Sequence, residues 1–313
     1  MNLTTLLWNE ASITFAIDQF VKQVCFYPIS DREILEGITY FYSIFKPFYR
    51  VQLSYVKSIE CFIQCTYWLE QFIDTTQPFS LQDLNAQKID TLKMALLQYE
   101  QYYFYEQQYQ HNLEISNRES LAHYMKQLLH HYSRLLVVRV DLSYAADQRH
   151  FIGIERVKSE LSILLNKISN KDTCFFGLQG YAWALEQGAD KGYHCHLLLI
   201  YDPSKRKNDW YLANEVGSLW KDITQQQGIF YSCNTSEVKA EYARLGRLGV
   251  GPIHCDCVSE TQNTFNAAMY LVNPEKLDQG LLARMPRMRT FGTGQFDVSW
   301  RRGISETMQN YMK

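Results

Sequence analysis

Glycine is nearly missing from the first 130 residues, where Gly37 stands alone. Tight β-turns lean on glycine, so this stretch lacks the punctuation of hairpins and reads as helical. Pro28, Pro47 and Pro78 divide it into four or five helices. An excess of one charge is also missing: 31 Lys+Arg against 33 Asp+Glu give a net charge of −2, which excludes a wholesale basic nucleic-acid binder. No uninterrupted apolar run approaches the roughly 20 residues that a membrane helix needs. The start has no cationic lead, and Glu10 and Asp18 interrupt its apolar stretch, so no signal peptide is expected and a reducing cytoplasm is the natural setting. No GxxxxGK[ST] loop occurs, so the chain has no visible helicase motor. The eight cysteines have no framework of spacings. Cys61-x3-Cys65 and Cys255-x-Cys257 each lack a matching second pair and are expected to be ordinary buried thiols rather than zinc ligands.

What is present is a long, apolar and unevenly charged chain. Its 313 residues are 46% hydrophobic and 14% aromatic, enough for one large core or two ordinary ones. Residues 1–130 hold 9 Lys+Arg against 14 Asp+Glu, and residues 131–313 hold 22 against 19, so any nucleic-acid contact is expected in the second part. In the aromatic run around Tyr99, Tyr102, Tyr103 and Phe104, helical spacing favours packing over a base-stacking platform. No chemistry is assigned to residues 1–130.

From His131 the texture changes. Arg134 to Leu142 is a near-continuous apolar run of the kind found in a central strand. Ile154, Val157, Leu161, Leu164, Leu165 and Ile168 recur at helical spacing. Strands are expected over Cys174–Leu185, with Gly177 and Gly180 at bulges, and over Tyr193–Tyr201. A second amphipathic helix carries Leu212, Val216, Leu219 and Trp220, followed by strands at Ile229–Cys233 and Val250–Val258. A last helix is expected from about Thr264, capped by Asn263 and disturbed by Pro274. The order β-α-β-β-α-β predicts an α+β domain: an antiparallel sheet of about five strands with helices on one face. The expected division is a helical region over 1–130, a self-sufficient domain over 131–305 and a tail over 306–313.

The strongest local signal runs from Leu185 to Ile200. Residues two apart in a strand share a face, so His194 and His196 point together while Cys195, Leu197 and Leu199 face the opposite, buried side. If the hairpin turns about Asp190, Glu186 lies directly across from His194 on that same face. Two imidazoles and a carboxylate then converge with coordination positions left open, which suits a divalent ion that also holds a phosphate oxygen. The competing reading is a pair of histidines on a solvated strand face. Cys195 and His254 are read as structural.

A hydrophobic strand, a Glu-turn-HxH hairpin and a later tyrosine on a helix resemble the three motifs of HUH endonucleases, the rolling-circle initiators and relaxases. Residues ~131–300 look most like the replication-protein family of inoviruses and related prophages. The segments behind this resemblance are Leu135–Tyr144, Gly192–Leu199, Ala267–Leu271 and Arg289–Gly294. It implies that Glu186, His194 and His196 bind Mg2+ or Mn2+, and that Tyr270 is the nucleophile, with Tyr231 and Tyr242 as rivals. It further implies site-specific nicking of single-stranded origin DNA through a 5′-phosphotyrosine, to start rolling-circle replication with a host helicase as partner. Such helices continue Tyr-x-x-Lys. Here the run is Tyr270-Leu-Val-Asn-Pro-Glu-Lys276, so either Asn273 stands in for the lysine or Lys276 does its work. Lys205, Arg206 and Lys207, with Arg284, Arg287 and Arg289, are the expected backbone contacts on DNA. The alternatives are a catalytically inactive DNA-binding module of the same fold and a prophage host-interaction protein dominated by its helical front.

Overall fold

The structure, a computed structural model, describes residues 8–72, 84–272 and 280–297. Its front is helical, as the scarcity of glycine predicts. Helix α1 (Glu10–Phe26) and helix α2 (Asp31–Phe45) each begin with a reciprocal capping box, Asn9 with Ser12 and Ser30 with Glu33. A short strand β1 (Ser54–Tyr55) precedes α3 (Lys57–Phe72), α4 (Ala86–Leu97) and the long α5 (Glu100–His131). Ile13, Ile17, Phe20, Val21 and Val24 bury the inner stripe of α1 against Ile34, Ile38 and Phe62. Gly37 serves this packing: a Cβ there would lie 2.3 Å from the Phe20 ring. Tyr99 is buried as expected, but Phe104 is 78% exposed and meets the Tyr103 ring edge-on outside the core.

The second part is built on a six-stranded antiparallel sheet. Its elements are β2 (Arg134–Tyr144), α6 (Ile154–Asn170), β3 (Leu178–Gly188), β4 (Gly192–Tyr201), α7 (Asp209–Ile223), β5 (Gly228–Ser232), α8 (Ser236–Arg244), β6 (Gly251–His254), α9 (Val258–Met269), β7 (Ala283–Arg284) and β8 (Phe291–Thr293). The order across the sheet is β5-β2-β4-β3-β8, with β6 also paired to β2. Strand β2 is long enough to serve two partners, β5 along Val140–Tyr144 and β6 along Arg134–Val137. Between them the Asn234 side chain stands in for a strand. Its Oδ1 accepts the Arg139 amide at 2.8 Å, and its Nδ2 donates to the Val137 carbonyl at 2.9 Å and to Asp209 at 2.8 Å.

One face of the sheet, with Val138, Val140, Leu142, Cys195, Leu197 and Leu199, packs on α6 and α7. These are the helices expected on one face. Part of the opposite face is also covered, where α5 lays Leu121, Tyr124, Met125 and Leu128, and α9 lays Ala268, over Leu135, Val137, Leu198 and Ile200. Several boundaries differ from the reading of the sequence. Strand β3 starts at Leu178 rather than Cys174, because Thr173–Phe175 form a 3-10 turn and Gly177 takes φ +84°. The expected bulge appears between Leu178 and Gly180. Helix α9 begins at Val258, with Cys257 at its N-cap, so Asn263 is not the cap. Its amide instead donates to the Gly246 carbonyl at 3.0 Å.

The end of α5 coincides with the boundary expected at residue 130, but the contacts cross it. Glu10 of α1 accepts from the Ile154 amide at 2.7 Å, capping α6 from outside, and from the Tyr193 hydroxyl at 2.8 Å. Gln187 donates to Ala11 and Thr14 of α1, both at 2.9 Å. Strand β1 pairs with β7.

Candidate metal centre

The hairpin β3–β4 closes as the sequence implies. Gly188 pairs with Gly192, whose φ of +67° a side chain tolerates poorly, and Glu186 pairs with His194. Register does the rest: with Glu186 opposite His194, both histidines and the carboxylate share one face. Their ligand atoms all lie within 4.8 Å of one another. Glu186 Oε2 sits 3.3 Å from His194 Nε2 and 3.2 Å from His196 Nε2. The imidazoles stand nearly perpendicular, with ring centres 5.1 Å apart. At 8% and 6% exposure the histidines are buried, so this is not a solvated strand face.

The outer contacts of the two rings test whether this set suits a cation. His196 Nδ1 lies 2.7 Å from Asp141 Oδ1, and His194 Nδ1 lies 3.2 Å from the Gly192 carbonyl. Both acceptors fix the proton on Nδ1 and leave Nε2 directed at Glu186, the arrangement of metal-ligating histidines. Burial works against a charged His196, but the hydrogen bonds that the charged ring donates to the Asp141 and Glu186 carboxylates outweigh it and raise its pKa. The group can hold a metal ion.

Asp141 comes from the central strand. The register places Tyr231, Asp141, His196, Ala184 and Phe291 in one row across five strands. Two residues along β2, on the same face, is Arg139, 8% exposed, its Nε 3.6 Å from Asp141 Oδ1. The sequence singled out neither residue. The signal was present in Arg139-Val-Asp141, two charges alternating with core valine and leucine on a central strand.

Tyr270 follows α9 in a single 3-10 turn, Tyr270–Val272. The Tyr270 ring meets the His196 ring edge-on at 5.8 Å between centres, and its own face lies 4.3 Å from the Arg139 guanidinium carbon. The residue is 43% exposed, so one side opens to solvent. Tyr231 joins the Asp141–His196 row but is 56% exposed, and Tyr242 lies on α8, whose residues are not buried. Burial raises the hydroxyl pKa of both rivals. Asn273 and Lys276 lie outside the described residues.

The basic candidates are scattered. Lys205, Arg206 and Lys207 follow β4 at the end away from the Gly188–Gly192 turn. Arg206 donates to the Phe176 and Thr173 carbonyls, both at 3.0 Å, and with Lys205 lies over the Phe176 ring. Arg284 and Arg289 line a groove of about 310 Å³ with Tyr109, Ser116 and Asn117 of α5. Arg287, at φ +60°, lines a neighbouring hollow beside Lys158 and Trp183, which Arg289 also borders. All eight cysteines are free thiols, and Cys195 belongs to the core beneath the hairpin. His254 pairs with Glu260 at 3.3 Å. No described helix is long and apolar enough to cross a membrane.

Comparison with known proteins gives one family. The family model of the YagK/YfjJ C-terminal domain matches residues 98–242. The matched stretch starts with α5 rather than at the sheet, contains Arg139, Asp141 and the whole Glu186–His194–His196 group, and stops before Tyr270. No curated protein and no solved structure matches the chain.

Proposed function

We propose that the chain is a metal-dependent, single-tyrosine DNA strand transferase of the HUH type, acting at a single-stranded origin to start rolling-circle replication of a phage-like or plasmid-like element. The observation that carries this reading is the placement of Tyr270, a partly exposed phenol whose ring touches His196 of a buried carboxylate–imidazole group. Glu186, His194 and His196 are the residues to hold the ion, Mg2+ by its suitability for phosphate and Mn2+ by its taste for imidazole. Bound there, such an ion withdraws charge from a scissile phosphate and favours in-line attack.

Tyr270 Oη attacks the phosphorus as the bond from phosphorus to the 3′ oxygen breaks. The phenolic proton leaves, the departing oxygen takes up one, and the products are a 5′-phosphotyrosyl link and a free 3′-hydroxyl. The link keeps the reactivity of a phosphodiester, so a later 3′-hydroxyl reverses it without an external energy source. Asp141 holds the His196 ring in place throughout. Single-stranded DNA reaches the site from its solvent side, with Arg284 and Arg289 available to the backbone.

The test incubates wild type and Tyr270→Phe with Mn2+ and end-labelled origin strands, read on a denaturing gel. The substitution keeps the ring and deletes one hydroxyl, so the covalent adduct disappears while affinity for the strand stays near wild type. An undiminished adduct from the mutant transfers the role to Tyr231 or Tyr242. No adduct from either protein on any origin-derived strand replaces this reading with an inactive DNA-binding module.

A further inference from the structure

A buried guanidinium is costly unless its donors find acceptors, and Arg139 is an exception to that rule. Its Nε is buried and meets no hydrogen-bond acceptor among the described residues. The nearest carboxylate oxygen, of Asp141, is 3.6 Å away, beyond a real hydrogen bond. What covers the guanidinium is the ring of Tyr270, 4.3 Å from its central carbon. Planar cations stack on aromatic faces, and the attraction grows where water is excluded. The backbone beneath is fixed as well, because the Arg139 amide donates to Asn234, which is held in turn by Asp209, itself paired with Lys239 at 2.8 Å.

We infer that Arg139 is a positioning residue for Tyr270: the guanidinium, stacked under the phenol and charge-paired with Asp141, fixes the distance between the nucleophile and the metal-ligand group. One carboxylate makes the connection, through a hydrogen bond on one side and a charge pairing on the other. Asp141 Oδ1 holds His196 at 2.7 Å on one side and faces Arg139 at 3.6 Å on the other. The ring of Tyr270 spans the same two residues, touching His196 with an edge contact and Arg139 with its face. The four side chains form a closed circuit in which neither the nucleophile nor the ligand can shift alone. A lysine lacks the plane and a methionine lacks the charge, so neither reproduces the seat.

This inference rests on the proposed nicking reaction, and its test separates the two. Arg139→Met and Arg139→Lys are compared with wild type in single-turnover adduct formation at saturating Mn2+ and DNA. Misplacing a nucleophile by about an ångström costs on the order of a hundredfold in rate, so Arg139→Met loses about that much. Its affinities for Mn2+ and for the strand remain within about twofold of wild type, and Arg139→Lys falls between. A second readout needs no activity. In the metal-free protein, a guanidinium seated 4.3 Å from the centre of the Tyr270 ring is expected to show an upfield-shifted Arg139 Nε–H resonance. Tyr270→Leu abolishes that displacement and Tyr270→Phe keeps it. A wild-type adduct rate in Arg139→Met overturns the inference, as does an unshifted Nε–H resonance. An equal loss of Mn2+ affinity also overturns it, marking Arg139 as support for the metal group instead. Where wild type forms no adduct on any strand, the nicking reading fails and the resonance alone decides whether Arg139 seats Tyr270.

Discussion

Glu10 and Tyr193 are joined by a 2.8 Å hydrogen bond across 183 residues of sequence. Tyr193 immediately precedes His194, so the opening helix of the chain is tied to the strand that carries the two histidines of the candidate metal group. The same carboxylate caps α6 through Ile154, and its Oε2 occupies the space that a Cβ at Gly153 would need.

Replacing Glu10 with Ala strands two buried donors, Ile154 N–H and Tyr193 O–H. Each unsatisfied buried donor costs about 1–3 kcal/mol, so we predict a loss of about 2–4 kcal/mol in chemical denaturation. A loss below about 0.5 kcal/mol would show that water replaces the carboxylate.

Glu10→Gln tests the same contact through pH. Burial raises the Glu10 pKa, and the hydrogen bonds from Ile154 and Tyr193 offset this only in part. A carboxyl whose folded pKa is raised holds its proton longer in the native state than in the unfolded one. Native protein therefore binds more protons just above the ordinary carboxylate range, and stability falls as pH rises through that window. Glutamine keeps an acceptor oxygen and cannot ionise. The stability of Glu10→Gln relative to wild type is expected to increase as pH rises from about 4 to 7, measured by urea midpoints. A constant difference would mean that Glu10 ionises as easily folded as unfolded.

A fragment limited to residues 131–305 loses more than α1. It exposes the sheet face that Leu121, Tyr124, Met125 and Leu128 of α5 cover. We predict that this fragment unfolds without cooperativity. One starting at residue 98, where the family match begins, regains a cooperative transition at reduced stability. Sharp two-state melting of the shorter fragment would restore the division that the sequence suggested.

The hairpin was legible because every relationship in it is local. Gly188 and Gly192 fix the turn, the turn fixes the register, and the register puts Glu186 opposite His194. For Asp141 and Arg139 the sequence carried only the hint of two charges on an apolar strand, since their place beside the histidines depends on the pairing of β2 with β4, a contact that period-2 patterning does not specify. Tyr270 came from order along a familiar motif rather than from geometry. The docking of α1 on the sheet was missed because it runs through Glu10 and Gln187, polar residues that pattern reading assigns to the surface. The early start of α9 was missed because Cys257 at its N-cap makes no side-chain capping bond.

Asp141→Asn should keep the fold and weaken the metal. The amide can still accept from His196 Nδ1, but it no longer strengthens the ligand with a negative charge. Loss of such a partner typically costs about 10–100-fold in metal affinity. Mn2+ titration followed by calorimetry provides the check, with His196→Ala as the variant expected to abolish binding. Equal affinity for wild type and Asp141→Asn would disconnect Asp141 from the centre.

Asn234→Ala opens the seam between β5 and β6, leaving the Arg139 amide and Val137 carbonyl without their partners. We expect a loss of about 2 kcal/mol or more. Asn234→Asp should be worse despite its near-identical shape, because it removes the donor to Val137 and turns a carboxylate toward Asp209 at 2.8 Å. Thermal unfolding of the two variants gives the order directly, and a milder effect from Asp would contradict the bonding described.

That seam also bears on how the chain tolerates change. One side-chain amide completes the edge of β2, so the backbone that departs after Asn234 and returns at Gly251 carries no ladder pairing of its own to β2. Helix α8, within this excursion, contributes no buried residue, and nothing lies within 4 Å of where a Cβ would stand at Gly246. Such an excursion can lengthen or receive foreign sequence without disturbing the register on either side, provided that the Lys239–Asp209 pair and the hydrogen bond from Asn263 to the Gly246 carbonyl are kept. The excursion therefore offers a splice point at which a fluorescent or affinity module can be grafted.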